Sequence, residues 1–387
     1  MSFVLLREKT MKISKRSQVD PFIVMDVMDQ ARNLELLGKN IIHMEVGQPS
    51  TGASEKSLLA VSEAMKLNPL GYTVSVGLSK LRNEISALYK NWYDLTVDPS
   101  RVIVTSGSSS AFILAFTSLF DAGSHVGVTE PGYPSYRQIL KSLSLKPVGL
   151  PTYKSSGHIP DLSKKELDGL ILASPANPTG SVLSKETLTK LIRECSKRKI
   201  NFISDEIYHG LNYGERCISA LELTDDVYVV NSFSKYFSLT GWRIGWMIVP
   251  EAHVRIVEKL AQNMFICAPH VSQVAALGAL TSIASAEKSK LVYKKNRDIL
   301  LKALPELGFE LEAEPHGGFY IYVNVLSKTN DSVELAKAIL NEVGVALTPG
   351  IDFDPSRGMH TLRISYACDT KDIEEGIKRL SHYFSDC

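Results

Sequence analysis

Lys235 is the residue with the most chemistry open to it. It closes the serine-rich turn Ser232-Phe233-Ser234-Lys235, directly after the apolar run 227–230. A lysine at the end of a buried strand is unusual, because burial disfavours the ammonium. Two uses account for one there: a Schiff base with a carbonyl, or an amine base. The plain alternative is a surface lysine on a loop. Arg243 follows eight residues on, and an arginine there can grip an anion with its planar fork of donors. Ser232 and Ser234 add hydroxyls. The turn 107–110, Gly-Ser-Ser-Ser, opens a helix whose free amides and dipole favour phosphate. A serine-rich helix start also serves as a simple N-cap.

Asp205 is a carboxylate at the end of another run that reads as buried. It either caps the segment that follows or holds a proton on a ring nitrogen. Tyr208, three residues on, and Asn177 are both able to bond a ring oxygen. An amine for an aldehyde, donors for a phosphate, an acid beside a ring nitrogen and donors to a ring oxygen are the parts that a pyridine aldehyde phosphate requires. Such a cofactor serves as an electron sink for carbanions.

The elements that must position these residues are short apolar runs at 102–105, 125–129, 147–150, 169–173, 201–204, 227–230 and 244–249. Near-continuous apolar runs indicate strands buried on both faces. Helical patterns lie between most of them, at 108–120 and 185–199 for example. The expectation is an α/β fold: a large domain with a seven-stranded, mostly parallel sheet covered by helices on both faces. In open sheets of this kind ligands sit beyond the carboxyl ends of the strands, where the small and polar residues cluster. The ends of the chain carry longer helical patterns and a strand pair near 318–325 and 361–366. They predict a smaller α+β domain built from both termini, 1–44 and 286–387, beside a cofactor-binding domain at 45–285. Residues 268–290 are expected to form its hinge or connecting helix.

The segment 232–245 resembles the lysine signature of the class I and II aminotransferases, the fold-type I pyridoxal-phosphate enzymes: S-x-S-K, Gly241, Arg243, then Ile-Gly. Further landmarks follow in the family's order. They are Gly47-Gln48-Pro49, Gly71-Tyr72-Thr73, Thr105-Ser106-Gly107, Glu130-Pro131-Gly132-Tyr133-Pro134 and Asn177-Pro178-Thr179-Gly180. Asp205-Glu206-Ile207-Tyr208, Gly317-Gly318-Phe319-Tyr320 and Leu362-Arg363-Ile364-Ser365 complete the set. The resemblance spans about residues 20–385.

It implies roles position by position. Lys235 carries pyridoxal 5'-phosphate as a Schiff base and shuttles the proton. Asp205 pairs with the pyridine nitrogen, while Asn177 and Tyr208 bond the ring oxygen. Tyr133 stacks on the ring. Ser108, Ser109, Ser232 and Arg243 hold the phosphate, helped by Tyr72 from a partner subunit, which implies a homodimer with shared sites. Ser234 supports the lysine. Arg363 clamps the substrate α-carboxylate, with the Gly47 backbone nearby. The implied reaction is ping-pong transfer of an L-amino acid's α-amino group to 2-oxoglutarate or pyruvate, through aldimine and ketimine forms. A C–S β-lyase of the same fold, or an aminocyclopropane carboxylate synthase, shares most of these landmarks, because fold does not fix reaction. Tyr133, Phe22, Phe265 and Tyr320 are candidates for a pocket suited to aromatic or aliphatic side chains.

Composition excludes other classes. Among 387 residues, 43 basic and 42 acidic side chains leave a net charge of +1, so no basic field draws the chain to nucleic acid or an anionic membrane. The basic cluster Arg7, Lys9, Lys12, Lys15, Arg16 reads as a solvated tail. Five cysteines without a C-x-x-C, and nine histidines without metal-ligand spacing, indicate no metal site and a reducing cytoplasm. The uncharged stretch 260–286 is interrupted by Gln262, Asn263, Pro269 and His270, and reads as a loop followed by a buried or interface helix rather than a membrane span. Ser232-Phe233-Ser234-Lys235 also matches S-x-x-K, but the S-D-N and K-T-G partners of the serine acyl-enzymes are missing. A ligand-sensing regulator with this fold would need a DNA-binding domain, and only some 20 residues precede the resemblance.

Overall fold

The seven apolar runs are neighbouring strands of one sheet in a computed structural model that describes residues 11–163 and 165–385. After a short first strand, β1 (Ile42–His43), they are β2 (Val102–Thr105), β3 (His125–Glu130), β4 (Lys146–Pro151), β5 (Gly169–Ala173), β6 (Asn201–Asp205), β7 (Tyr228–Ser232) and β8 (Gly245–Ile248). Their order is β2-β8-β7-β6-β5-β3-β4. Strand alternation sorts the side chains onto two apolar faces. Ile103, Ile171, Ile203, Val230 and Met247 meet the helix Gly107–Leu119 and its neighbours. Val104, Leu170, Leu172, Val229, Trp246 and Ile248 meet the helices opposite. Burial on both faces is why these runs show no polar alternation.

Only β8 runs against its neighbours, pairing antiparallel with both β2 and β7. The direction matters for the site. The other six strands bring their carboxyl ends to one edge. β8 brings its amino end there, with Gly245 opposite both Thr105 and Ser232. Arg243, which precedes β8, thereby joins residues that follow the other strands.

A second sheet comes from the carboxyl-terminal part of the chain. β9 (Glu310–Leu311), β10 (Tyr320–Asn324), β12 (Thr348–Pro349) and β13 (Thr361–Ser365) form it in the antiparallel order β12-β13-β10-β9, while β11 (Val345–Ala346) pairs in parallel with β1. The expected pair at 318–325 and 361–366 is β10 with β13, in register from Tyr320–Ser365 to Asn324–Thr361. The amphipathic helix Lys185–Lys197 buries Leu188, Leu191 and Cys195 on one stripe, and Ser184 caps it by accepting from the Thr187 amide at 3.2 Å.

The segment 268–290, read from the sequence as a hinge or connecting helix, is interrupted. It is a helix His270–Leu280, a break, and the start of a long helix Ile283–Glu306. The Thr281 and Ser282 hydroxyls both donate to the Gly278 carbonyl, at 2.8 and 3.1 Å, which competes with the backbone ladder and stops the first helix. Among the described residues no helix is long and apolar enough to cross a membrane. Arg7, Lys9 and Cys387 lie outside the described residues; Cys195, Cys217, Cys267 and Cys368 are free thiols.

Candidate active site

The carboxyl edge of the large sheet opens into a cavity of about 450 Å³. Ser108, Ser109, Tyr133, Asn177, Asp205, Tyr208, Ser234, Lys235, Arg243, Arg363 and Gly47 all line it. Its charged side chains are three cations, Lys235, Arg243 and Arg363, and one acid, Asp205. That balance suits a ligand carrying more than one negative charge.

One end is an anion cradle. Helix Gly107–Leu119 starts where β2 ends, so its unbonded amides face the cavity. Gly107 has φ +78°, and a Cβ there would lie 2.5 Å from Arg243 Nη2. The helix start and the guanidinium therefore approach as closely as a glycine permits. Arg243 Nη1 donates to the Thr240 carbonyl at 3.1 Å, and the Thr240 hydroxyl donates to the Ser234 carbonyl at 2.7 Å. This ties the arginine to the lysine turn.

Lys235 leaves the end of β7 with its Nζ 2.6 Å from the Gly47 carbonyl. Desolvation, followed by the charges of Arg363 and Arg243, pushes its pKa down to about 7, with Asp205 opposing. Lys235 is thus an amine partly neutral at neutral pH. Asp205 ends β6 and is buried. Its Oδ1 accepts from the Ile207 amide at 3.1 Å, and its Oδ2 accepts from the Tyr136 hydroxyl. Burial pushes its carboxyl up to about 6, against the pull of the Tyr136 and Ile207 hydrogen bonds and of Lys235.

Arg363 enters from β13 in the second sheet. Its guanidinium lies between the rings of Tyr320 and Phe353, 4.3 and 4.7 Å from their centroids. It donates from Nη1 to Asn177 Oδ1 at 3.1 Å and from Nη2 to the Glu45 carbonyl. Its Nε is buried with no hydrogen-bond partner among the described residues. A buried arginine on a cavity wall with a donor left unpaired has the chemistry to receive a carboxylate. The Asn177 oxygen is committed to Arg363, which leaves the amide nitrogen as its donor to a ligand. The Tyr208 hydroxyl stands 2.9 Å from that of Tyr320.

Two expectations need adjustment. Ser232 is not on the cavity wall; its hydroxyl lies 2.9 Å from Ser234 Oγ and 3.1 Å from the Ile244 carbonyl, one layer behind. Phe265 does not line the cavity either; it follows the helix Val254–Met264 as its C-cap and packs against the same apolar cluster as Tyr133. Tyr72, expected to act from a partner subunit, is 84% exposed and outside the cavity of this chain. Other residues were not foreseen. Val24, Met25 and Met28, on the helix Ile23–Leu36, join Phe22 as an apolar wall. Tyr136 contacts Asp205 from the first turn of the helix Pro134–Ser142, and its spacing of three from Tyr133 was the available signal.

The fold and the cavity define a pyridoxal-phosphate enzyme of the aspartate aminotransferase architecture. Residues 39–380 match the family described as aminotransferase class I and II, so the chain belongs to that family and is an aminotransferase; its members use pyridoxal 5'-phosphate. It is 40% identical over 383 residues to the valine–pyruvate aminotransferase of Mycobacterium tuberculosis, covering 97% of this chain and 99% of that one. It is 35% identical to the (5-formylfuran-3-yl)methyl phosphate transaminase of Methanocaldococcus jannaschii, covering 96% and 100%. The crystal structure of an aminotransferase from Mycobacterium tuberculosis superposes with a TM-score of 0.95 at 39% identity, covering 98% of this chain and 100% of that chain.

Proposed function

We propose that the protein moves the α-amino group of a neutral, apolar L-amino acid to pyruvate or 2-oxoglutarate in two half-reactions. The observation that carries this reading is the division of labour among the cavity's three cations. Arg243 stands against the helix start, Lys235 has its Nζ at the Gly47 carbonyl, and Arg363 lines the cavity from the second sheet. Each has a task, and none of the three is left for a side-chain carboxylate. Phe22, Val24, Met25 and Met28 give the cavity an apolar wall. The valine–pyruvate activity named for the relative from Mycobacterium tuberculosis fits that wall.

Pyridoxal phosphate, when bound, supplies a carbonyl for a Schiff base with an amine and a ring that withdraws electrons. The residues present fit it. Ser108, Ser109, Arg243 and the helix start hold the phosphate. Ser234, backed by Ser232, supports the lysine turn. Asp205 would hold a proton at the ring nitrogen, Asn177 and Tyr208 would donate to the ring oxygen, and Tyr133 would lie against the ring. Lys235 would hold the cofactor's carbonyl at rest. Once the substrate amine displaces it, its freed Nζ, with a pKa pushed down to about 7 by burial and the nearby arginines, would take the proton from the substrate Cα and hold it for return. Arg363 and the Gly47 backbone orient the α-carboxylate so that the Cα–H bond faces Lys235.

The same reading makes the enzyme a homodimer, with the partner subunit's Tyr72 completing the phosphate site. Leu58, Leu59, Met65, Leu67, Tyr72 and Val74 are exposed along one segment, an apolar surface that pairing would cover. It assigns 45–285 to cofactor binding, and 1–44 with 286–387 to the unit that carries Arg363 and the apolar wall. Four free thiols suit a reducing cytoplasm.

The test is transfer from L-valine, L-phenylalanine, L-alanine and L-aspartate to pyruvate and to 2-oxoglutarate. An apolar donor should exceed aspartate by at least about tenfold in kcat/KM, because an apolar wall leaves a second carboxylate unpaired. Aspartate as the best donor refutes the substrate assignment. Steady release of pyruvate and ammonia without an acceptor refutes transfer in favour of a lyase.

A further inference from the structure

We propose that Tyr136 is a positioning residue whose hydroxyl holds Asp205 as an oriented, ionised carboxylate for the cofactor's ring nitrogen. The inference rests on the reading of Asp205 given above and deepens it.

Asp205 is an uncommon carboxylate. It is 3% exposed, yet no cation is within hydrogen-bond distance among the described residues. Buried carboxylates ordinarily keep their charge through a cationic partner or several donors. Asp205 has two donors: the Ile207 amide on Oδ1 at 3.1 Å and the Tyr136 hydroxyl on Oδ2. Lys235 acts on it only through its charge. The amide belongs to the strand end and is present in any side-chain variant. The phenol is the one side-chain donor.

Tyr136 is itself fixed. It is buried, with its ring edge-on to Phe112 at 5.1 Å and to Tyr133 at 5.2 Å, interplanar angles of 83° and 82°. Burial and the neighbouring Asp205 raise its pKa well above that of a free phenol, so it stays a donor at every working pH. A proton on the phenol must point to an acceptor, and the acceptor is Asp205 Oδ2. The hydrogen bond is therefore polarised in one sense and favours the carboxylate over the carboxylic acid. A carboxylate offers about four lone-pair positions. With one on each oxygen taken, a free position remains for a ring N–H. Losing the Tyr136 donor would let burial carry Asp205 to its neutral form. A neutral Asp205 has no charge with which to keep a ring nitrogen protonated.

The variant Tyr136→Phe keeps both ring contacts and removes only the hydroxyl. It should be compared with the wild type as holoenzyme, with two cofactors: pyridoxal phosphate, and its N-methyl analogue, whose ring nitrogen is permanently positive. With pyridoxal phosphate, Y136F should bind the cofactor about tenfold more weakly and lose about tenfold or more in kcat, the scale of one hydrogen bond to a charged group. With the N-methyl analogue, kcat of Y136F and wild type should agree within about twofold. Equal deficits with both cofactors would assign Tyr136 a structural role and overturn the proposal. Unchanged affinity and kcat with pyridoxal phosphate would overturn it too. Asp205→Asn separates the two levels of the argument. A crippled D205N beside an unaffected Y136F defeats the role of Tyr136 alone. An unaffected D205N defeats the reading of Asp205 as well.

Discussion

Replacing Gly107 by alanine tests whether the helix start and Arg243 form one anion site. Gly107 sits at φ +78°, where an L-residue costs about 1–2 kcal/mol. The added Cβ would stand 2.5 Å from Arg243 Nη2 and 3.0 Å from Cζ, so the guanidinium must retreat by roughly an ångström to reach ordinary contact. The retreat strains its 3.1 Å bond to the Thr240 carbonyl and takes it from the helix start. The backbone term falls on the cofactor-free protein and should lower its Tm by about 1–3 °C. The displaced guanidinium falls on cofactor binding. One charge-assisted bond to phosphate lost is about 1.5–3 kcal/mol, or about 10- to 100-fold in Kd. Thermal unfolding without cofactor and equilibrium titration with pyridoxal phosphate read the two terms separately. Arg243→Lys should weaken binding comparably without the backbone term. The double variant should weaken it by clearly less than the product of the single effects, because both act on one contact. A G107A protein with a lowered Tm and full cofactor affinity would refute the cradle.

Lys235→Ala should raise the stability of the cofactor-free protein near pH 7. The folded pKa, about 7, lies below the unfolded value of 10.5, so between them the unfolded chain binds more protons and wild-type stability climbs with pH. The advantage of K235A should be greatest below about pH 7 and gone by about pH 10.5; an advantage that does not change with pH contradicts the buried amine. Arg363→Lys should cut kcat/KM for the amino acid by about 10- to 100-fold, mainly through KM, because a lysine cannot offer the planar fork. Steady-state kinetics with an unchanged KM would contradict the carboxylate role. Gly47→Ala places a Cβ 1.7 Å from the Tyr320 hydroxyl and should destabilise the protein by about 1–3 kcal/mol, measured by denaturant unfolding. Adding Tyr320→Phe should recover part of that loss, and no recovery would locate the strain elsewhere.

The sheet and most of the site were legible because both follow from local patterns. Continuous apolar runs marked the strands, and small polar residues after each run marked the edge where Ser108, Asn177, Asp205 and Lys235 meet. Strand direction was not legible. Arg243 precedes its strand and reaches the site only because β8 is antiparallel, a property of pairing partners rather than of the run itself. The apolar wall of Val24, Met25 and Met28 was hidden for a similar reason. Its helix reads as amphipathic, and nothing within it tells whether its apolar stripe meets a core or a cavity. Two aromatics of similar type fared differently: Phe22 lines the cavity and packs edge-on to Tyr133 at 5.9 Å, whereas Phe265, past the end of its helix, joins the same apolar cluster as Tyr133 but does not line the cavity. Tyr136 escaped notice because its partner lies 69 positions away and its ring alone reads as core.

The account turns on Lys235 as the amine that holds the cofactor. Reducing the holoenzyme with borohydride, digesting it and locating the pyridoxyl mass by peptide sequencing tests this without any assumption about substrate. The modification should fall on Lys235, at one per chain, with loss of the visible absorption band. A pyridoxyl group on any other lysine, or none on a protein that retains its cofactor, would contradict the assignment of the site.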